Sequence, residues 1–114
     1  MQFTIPIPQK VSTNVIYSGK HWTVRKQHAD LYHQYIRAEV KPPEKGFEYP
    51  IDITYIFNFK GKLLDTTNCT YMVKLLEDGL VKSGIIEDDD PKHVQYTGIY
   101  SQKGKKDAVE IIIT

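Results

Sequence analysis

Acidic side chains lie at both ends of one amphipathic stretch, and they are the residues of this chain best suited to chemistry. Asp65 begins a polar segment before the stretch, and the four acids at positions 87–90 follow it. Mg²⁺ takes oxygen ligands, so carboxylates brought together in this way would suit a hard divalent cation. The two ends of a helix can meet in one cleft only if neighbouring strands bring them there. The chemistry therefore requires a helix in this stretch and strands on either side of it.

The stretch between the acids is predicted to be a helix that packs on a sheet. At 100° per residue one face carries apolar or small residues, namely Cys69, Met72, Val73, Leu76, Gly79, Leu80 and Ser83. The other side carries Tyr71, Lys74, Asp78 and Lys82. Gly84 is expected to end the helix, because glycine adopts the left-handed conformation at little cost. Thr67 or Asn68 could provide the N-cap, which is the structural alternative to a functional role for either residue.

The order of polar residues along this stretch resembles the RusA family of Holliday-junction resolvases. The matching residues are Asp65, Asn68, Lys74, the run Asp78-Gly79-Leu80, Gly84 and the pair Asp88-Asp89. Members of that family are Mg²⁺-dependent endonucleases common in phages and prophages, with a pattern of D-x-D-N, a helix carrying lysine and D-x-L, a glycine, and D-D. The likeness covers the C-terminal half of the chain well and the N-terminal half more loosely. One departure matters, because the second aspartate of D-x-D-N is Thr67 here.

The resemblance implies a metal site in which carboxylates hold Mg²⁺, with Mn²⁺ as a possible substitute, and activate water against a phosphodiester. Asp65 and Asp89 are its first-choice metal ligands and catalytic carboxylates. Asp88 is a further ligand candidate. Because alternate residues of an extended segment point oppositely, Asp88 and Asp90 are expected either to support the metal ligands from behind or to face solvent. Thr67 could hold a metal-bound water, but its hydroxyl cannot supply the charge of the missing aspartate.

Lys74 is expected to be the third catalytic residue, a phosphate clamp that offsets charge growing on the phosphate oxygens in the transition state. The structural alternative is an exposed lysine in a weak ion pair with Asp78, four residues further on. The position of Lys74 on the polar helix face is compatible with both, and the resemblance favours the clamp. Asp78 is expected to orient Lys74 or Asn68.

Aromatic, amide and basic side chains outside the acidic run are predicted to contact DNA. They come from the loop and helix after the first strand, from the polar turn, and from a lysine-rich turn near the C-terminus. The expected contacts are Asn14, Tyr17, Lys20, Arg25, Lys26, Asn68, Lys103 and Lys105. The structural alternatives are packing of Tyr17 over the core and solvation of the basic side chains.

Composition restricts the class of protein but does not identify it. The 114 residues, 40% of them hydrophobic, predict one domain over positions 1–114, and the net charge of +1 gives no argument for nucleic acid. The single cysteine, Cys69, excludes an internal disulfide and fits a reducing cytoplasm. The spacing of the four histidines predicts no histidine metal site and leaves His93 isolated. No apolar run reaches membrane-spanning length, so we expect a cytoplasmic protein with no membrane partner, and the resemblance implies a phage or prophage origin.

The elements are predicted in the order β-α-β-α-β-β, an α+β domain with two helices packed on a small mixed sheet, as a RusA-like fold implies. The predicted strands cover positions 1–7, 51–59, 94–100 and 107–113, and the last two are expected to form a hairpin. The first helix is predicted at 23–40.

The expected partners are branched DNA and a second copy of the chain. A four-way junction has two-fold symmetry, so the resemblance also implies a homodimer that presents two copies of the site. Two alternatives stay open, a catalytically weak or inactive RusA-like DNA-binding protein and a dimeric interaction module.

Overall fold

The computed structural model describes residues 1–17 and 22–114, and in these ranges the chain folds as an α+β structure. The strands are β1 (Gln2–Pro6), β2 (Ile51–Phe59), β3 (Val94–Lys103) and β4 (Ala108–Ile113). The helices are α1 (Thr13–Ile16), α2 (Trp22–Glu39) and α3 (Thr70–Lys82), with a 3₁₀ turn at Thr66–Cys69 before α3. The predicted fold class is confirmed, and the short helix α1 is an addition to the predicted order. None of the described helices is of a length and apolarity that would cross a bilayer.

The four strands form one mixed sheet in the order β1-β4-β2-β3. Strand β4 is antiparallel to both β1 and β2, whereas β3 runs parallel to β2 with α3 in the connection between them. The predicted hairpin of the last two strands is therefore wrong, because β2 lies between β3 and β4. The turn that joins them passes the end of β2, where Gly104 N donates to Phe59 O at 3.0 Å. A Cβ atom on Gly104 would lie 2.7 Å from Asn58 Cβ, so only glycine passes here without displacing its neighbour.

The helices and one face of the sheet enclose the hydrophobic core. Alternate residues of β2 are buried as predicted, namely Ile51, Ile53, Tyr55, Phe57 and Phe59. The predicted apolar face of α3 is also buried where it meets the sheet and α2. Gly79 allows α3 to approach α2 closely, since a Cβ atom there would lie 2.6 Å from Ile36 Cδ1. The core thus fixes α3 above β2 and β3.

Tyr71 is buried, which corrects its predicted place on the polar side of α3. Helices α1 and α2 cover that side of α3 near its start. The Tyr71 hydroxyl is 3.0 Å from Nδ1 of His28, a histidine that is itself buried on α2. Burial lowers the pKa of His28 and raises the pKa of Tyr71. The two side chains thus provide each other with a hydrogen-bond partner at the edge of the hydrophobic core.

The two ends of α3 are capped by different interactions. At the C-terminal end Gly84 has φ +75°, and its N–H donates to Val81 O at 3.0 Å while Ile85 N donates to Leu80 O at 2.9 Å. This is the glycine stop that the sequence predicts. At the N-terminal end the predicted cap by Thr67 or Asn68 is wrong, because Tyr71 N donates instead to Thr13 Oγ1, on α1, at 2.9 Å.

Candidate active site

Lys74 lies between two carboxylates that come from separate segments of the chain. Its Nζ is 3.5 Å from Asp78 Oδ1, one turn along α3, and 3.9 Å from Asp89 Oδ2, in the connection that leads from Gly84 to β3. The side chain of Lys74 is 66% exposed, whereas that of Asp89 is 31% exposed. The structure therefore brings together two predicted catalytic residues, Lys74 and Asp89, at the surface where α3 meets edge strand β3.

Glu77 is a fourth member of this group, and the sequence analysis missed it. Its Oε1 accepts hydrogen bonds from the Tyr55 hydroxyl at 3.2 Å and from Thr97 Oγ1 at 3.4 Å. Burial raises the pKa of Glu77, the hydrogen bond from Tyr55 opposes that shift, and the charge of Asp89 adds to it. A sequence signal existed, since a buried strand tyrosine needs a polar partner and Glu77 lies one turn from Lys74. We call Lys74, Glu77, Asp78 and Asp89 the Lys74 cluster.

In the Lys74 cluster the carboxylates of Asp78 and Asp89 contact one ammonium group, and the carboxyl of Glu77 interacts with Asp89 and Lys74 through its charge. Carboxylate oxygens are the ligands that Mg²⁺ takes in proteins, and an ammonium group pairs with phosphate oxygens. Glu77 is half-buried and held by two hydroxyl groups, so its carboxyl is more fixed in position than those of the exposed acids. These groups are of the types that bind a hard cation and pair with phosphate, but among the described residues Glu77, Asp78 and Asp89 do not bring three ligand atoms within 4.8 Å of one another.

Asp65 and Thr67 lie in the turn before α3 and are exposed. Asp65 O accepts from Asn68 N at 2.9 Å, and the carbonyl of Leu64 accepts from Ser101 Oγ, on β3, at 2.6 Å. This contact attaches the turn to β3 four residues beyond Thr97, about 13 Å along a strand. Within the described residues, Asp65 and Asp89 share no group of three or more His, Cys, Asp or Glu side chains with ligand atoms within 4.8 Å. Their predicted pairing in one metal centre stays a prediction, as does the water-holding role of Thr67.

Asp88 belongs to a different group from Asp89. Among the described residues, one set of three side chains that can bind metal has its ligand atoms within 4.8 Å of one another. The set consists of Asp88, Asp90 and His93. His93 Nδ1 is 2.7 Å from Asp90 Oδ1 and His93 Nε2 is 3.3 Å from Glu87 Oε2. His93 is thus not isolated, which corrects the sequence analysis. We call Glu87, Asp88, Asp90 and His93 the His93 turn.

The protonation of the His93 turn follows from these contacts. The hydrogen bond to Asp90 raises the pKa of His93, and the charges of Asp90 and Glu87 add to this shift. The same hydrogen bond lowers the pKa of Asp90. A carboxylate oxygen thus lies near each ring nitrogen of His93, and both carboxylates favour the protonated form of the imidazole.

Four of the predicted DNA contacts lie on one surface at the start of α3. Asn14 N donates to Asn68 Oδ1 at 3.2 Å, which joins α1 to the turn before α3. The guanidinium of Arg25 lies 5.9 Å from the ring centre of Tyr17. Tyr17 is 62% exposed, so the predicted alternative of core packing does not describe most of its ring, although one edge meets Tyr71. Asn14, Tyr17, Arg25 and Asn68 could contact one ligand together.

The remaining predicted DNA contacts are dispersed. Lys26 forms an exposed ion pair with Asp30 at 3.3 Å. Lys103 Nζ donates to the carbonyls of Lys60 and Gly61, at 2.5 and 3.1 Å, and so secures the end of β2. Lys105 is exposed in the turn between β3 and β4. Lys20, like His21, lies outside the described residues.

Compared with known proteins, the chain matches no family model and no curated sequence. The resemblance to RusA resolvases therefore rests on the residues and spacings named above.

Proposed function

We propose that this chain is a Mg²⁺-dependent endodeoxyribonuclease that resolves Holliday junctions or related branched DNA by paired phosphodiester hydrolysis in recombination or repair. The observation that carries the proposal is the position of Lys74 Nζ, 3.5 Å from Asp78 and 3.9 Å from Asp89, beside the half-buried Glu77. A lysine and carboxyl groups from separate segments meet at one surface, which suits phosphodiester hydrolysis.

The chemistry divides between the carboxyl groups and the lysine. A bound Mg²⁺ supplies an activated water and charge stabilisation for a phosphodiester, which is otherwise protected by its own negative charge. Asp89, with Glu77 or Asp78 beside it, offers the oxygen ligands that such an ion takes. Lys74 pairs with the phosphate oxygens whose charge grows in the transition state. Glu77, whose pKa is raised by burial, is suited to move a proton at the same surface.

The substrate side of the proposal draws on the surface at the start of α3. Arg25, Tyr17 and Asn14 supply a cation, an aromatic ring and an amide, the groups that bind phosphate and stack on bases. A homodimer would present two such surfaces in the two-fold relation that a four-way junction requires. Sedimentation should then give about twice the chain mass of 13.2 kDa.

The test is Asp89→Asn, which keeps the shape of the side chain and removes its charge. We expect nicking of a synthetic four-way junction in Mg²⁺ to fall by at least about a hundredfold, as for loss of a group that stabilises the transition state. Junction binding in EDTA should persist, because the variant removes a negative charge that faces phosphate.

The matched control is Asp90→Asn, one residue away in the His93 turn. This variant should cleave at close to the parent rate, because Asp90 contacts His93 and not Lys74. Cleavage by Asp89→Asn at the parent rate, with both variants folded by circular dichroism, would remove the assignment.

A second candidate function is binding of branched DNA without cleavage. Thr67 favours it, since an exposed hydroxyl stands where the family pattern has a carboxylate. In that case the parent protein binds the junction in EDTA and leaves it intact in both Mg²⁺ and Mn²⁺. Cleavage in either metal excludes this candidate.

A further inference from the structure

Two tyrosines on edge strand β3 project from the face of the sheet that faces away from the helices. The burial of Ile53, Tyr55 and Phe57 marks the helix side of β2, and their register partners on β3 are Thr97, Ile99 and Ser101. Because side chains alternate along a strand, Tyr96 and Tyr100 point to the opposite face. Their exposed fractions are 62% and 60%. Two large rings thus remain in solvent on one surface.

Gly98, between the two tyrosines, keeps this surface flat. A Cβ atom on Gly98 would lie 3.2 Å from Cε1 of Tyr96 and 3.6 Å from Oγ1 of Thr54. The ring of Tyr96 therefore lies over the glycine and presents its outer side to solvent. Tyr100 follows four residues after Tyr96, about 13 Å along the strand.

The strands beside β3 place hydrogen-bonding groups next to the rings. Gln102 Nε2 donates to Asn58 Oδ1 at 2.8 Å, and Asn58 Nδ2 donates to Glu110 Oε2 at 3.0 Å. This row of polar side chains crosses β3, β2 and β4 on the same face as the tyrosines. Asp52 is the register partner of Tyr96 on β2. The two acids on this face, Asp52 on β2 and Glu110 on β4, lie toward the middle of the sheet from β3. For a strand of DNA bound along β3, a carboxylate at these positions would face the amino groups of bases and not the phosphates.

Cationic side chains lie at one end of the same face. Lys105 and Lys106 line a hollow of about 310 Å³ together with Thr4, Asn58 and Glu110. The hollow adjoins the polar row through Asn58, beyond Tyr100 along β3. A ligand that lies along β3 over the rings would reach these lysines at its end. Aromatic faces, amide groups and lysines in this order match bases followed by phosphates.

We propose that Tyr96 and Tyr100 form a stacking platform for the unpaired bases of single-stranded DNA, with Lys105 and Lys106 binding its phosphates. Aromatic side chains on a four-stranded sheet stack two or three bases in a known mode of single-strand recognition. The platform does not depend on the proposed nuclease activity. The platform and the Lys74 cluster nevertheless share strand β3. Thr97 lies between the two tyrosines, points to the other face of the sheet and donates a hydrogen bond to Glu77.

The test measures binding of a fluorescently labelled deoxycytidine decamer, whose bases carry amino groups, in EDTA, where no cleavage can contribute. The double variant Tyr96→Leu/Tyr100→Leu should weaken binding about a hundredfold, about tenfold for each stacked base. The double variant Tyr96→Phe/Tyr100→Phe keeps the rings and should bind within about threefold of the parent. Failure of the parent protein to bind at roughly 100 µM, the weak limit of non-specific affinity, would overturn the proposal.

The lysines are tested by salt dependence. For single strands the slope of log K against log salt is about −0.7 for each phosphate neutralised. Lys105→Gln/Lys106→Gln should therefore reduce the magnitude of the slope by about 1.4. A slope equal to that of the parent would overturn the assignment of these two residues to phosphates.

The alternative occupant of this face is a second copy of the chain. The leucine variant distinguishes a dimer interface from a base-stacking surface. Leucine keeps an apolar surface, so a dimer interface would tolerate it, whereas base stacking would not. Unchanged decamer binding by Tyr96→Leu/Tyr100→Leu overturns the platform. A control, Tyr35→Leu on α2, should bind like the parent, and a hundredfold loss there would also overturn the assignment to β3.

Discussion

The Lys74 cluster and the His93 turn are two groups of carboxylates that adjoin in sequence and differ in environment. In the Lys74 cluster Glu77 is half-buried, held by Tyr55 and Thr97, and the exposed Lys74 contacts two other acids. In the His93 turn one imidazole lies between two carboxylates, with its ring nitrogens 2.7 Å from Asp90 Oδ1 and 3.3 Å from Glu87 Oε2. The first group keeps a cation and several carboxyl groups accessible to a ligand. In the second group both ring nitrogens of the imidazole are already paired, with Asp90 and with Glu87.

The four acids at positions 87–90 therefore do not act as one unit. Asp89 turns toward Lys74, while Asp90 turns toward His93 and Asp88 Oδ1 accepts from Asp89 N at 2.8 Å. Asp90 is held by the turn that follows it, because its Oδ1 also accepts from Lys92 N at 3.1 Å and from His93 N at 3.2 Å. Neighbouring acids in one run thus meet different partners, Lys74 for Asp89 and His93 for Asp90.

Among the variants that test the difference between the Lys74 cluster and the His93 turn, Lys74→Met is expected to have the largest effect on activity. It removes the cation from the Lys74 cluster and should lower the rate of junction nicking by about 10²–10³-fold, as loss of a transition-state charge partner does. Stability should change by at most about 0.5 kcal/mol, since the ion pairs of Lys74 are exposed. The measurement is the initial nicking rate at saturating Mg²⁺.

Lys82→Met provides the matched control for this variant. Lys82 is exposed in the last turn of the same helix and has no place in the Lys74 cluster. Its variant should nick at close to the parent rate. Equal losses in the two lysine variants would show that general charge, and not the position of Lys74, governs the rate.

A smaller effect, on stability, is expected from Glu77→Gln. Burial raises the pKa of Glu77 above its ordinary value of 4.5, so just above pH 4.5 the folded state holds a proton that the unfolded state has lost. Stability conferred by this group therefore falls as pH rises through that window and stays lower above it. Glutamine keeps the oxygen that accepts from Tyr55 and cannot titrate. We expect the variant to be more stable than the parent near pH 7, as measured by urea unfolding midpoints across the pH range.

Glu44→Gln, an exposed change in the connector before β2, is the control for this titration. Its midpoints should follow those of the parent at every pH. If the curves for Glu77→Gln and the parent also run parallel from pH 4.5 upward, the burial of Glu77 does not control its proton.

The smallest effect is expected from Asp90→Asn on the titration of His93. The pKa of His93 is raised, so the stability from this contact is present below the ordinary value of 6.5 and is lost as pH rises through the folded-state value. The lowered pKa of Asp90 preserves the contact down to below 3.8. The change in total stability should be small because the groups are exposed and screened.

The direct measurement is the NMR titration of the His93 ring protons. In the parent His93 should titrate above 6.5, and in Asp90→Asn its pKa should move down. A parent value at or below 6.5 would show that His93 and Asp90 are not paired in solution.

Sequence patterns predicted much of the fold, because they report interactions between residues that are close in the sequence. The alternation along β2 and the glycine stop at Gly84 are confirmed, since each depends on residues close in the sequence. The position of β4 was not predictable in the same way. A turn signal between two strands shows that the chain reverses, but not whether a third strand lies between them.

The candidate site was predictable only in part for the same reason. Spacing identified Lys74 and Asp89, which the structure brings together. Glu77 was missed because its significance comes from Tyr55 and Thr97, two residues on other elements. Likewise Thr13, and not Thr67 or Asn68, provides the side chain that caps α3. Contacts between distant segments decide these roles, and periodicity does not report them.

The position of β4 between β1 and β2 also determines when the sheet can form during synthesis. Among the described strands β1 is synthesised before the others, yet its partner in the sheet, β4, is synthesised after them. A nascent chain that stops before residue 108 leaves one edge of β2 open and β1 without its partner, and such edges invite pairing with other chains. Closing so long a connection is slow compared with local folding. Completion of β4 is thus the step that covers the inner edges of β1 and β2.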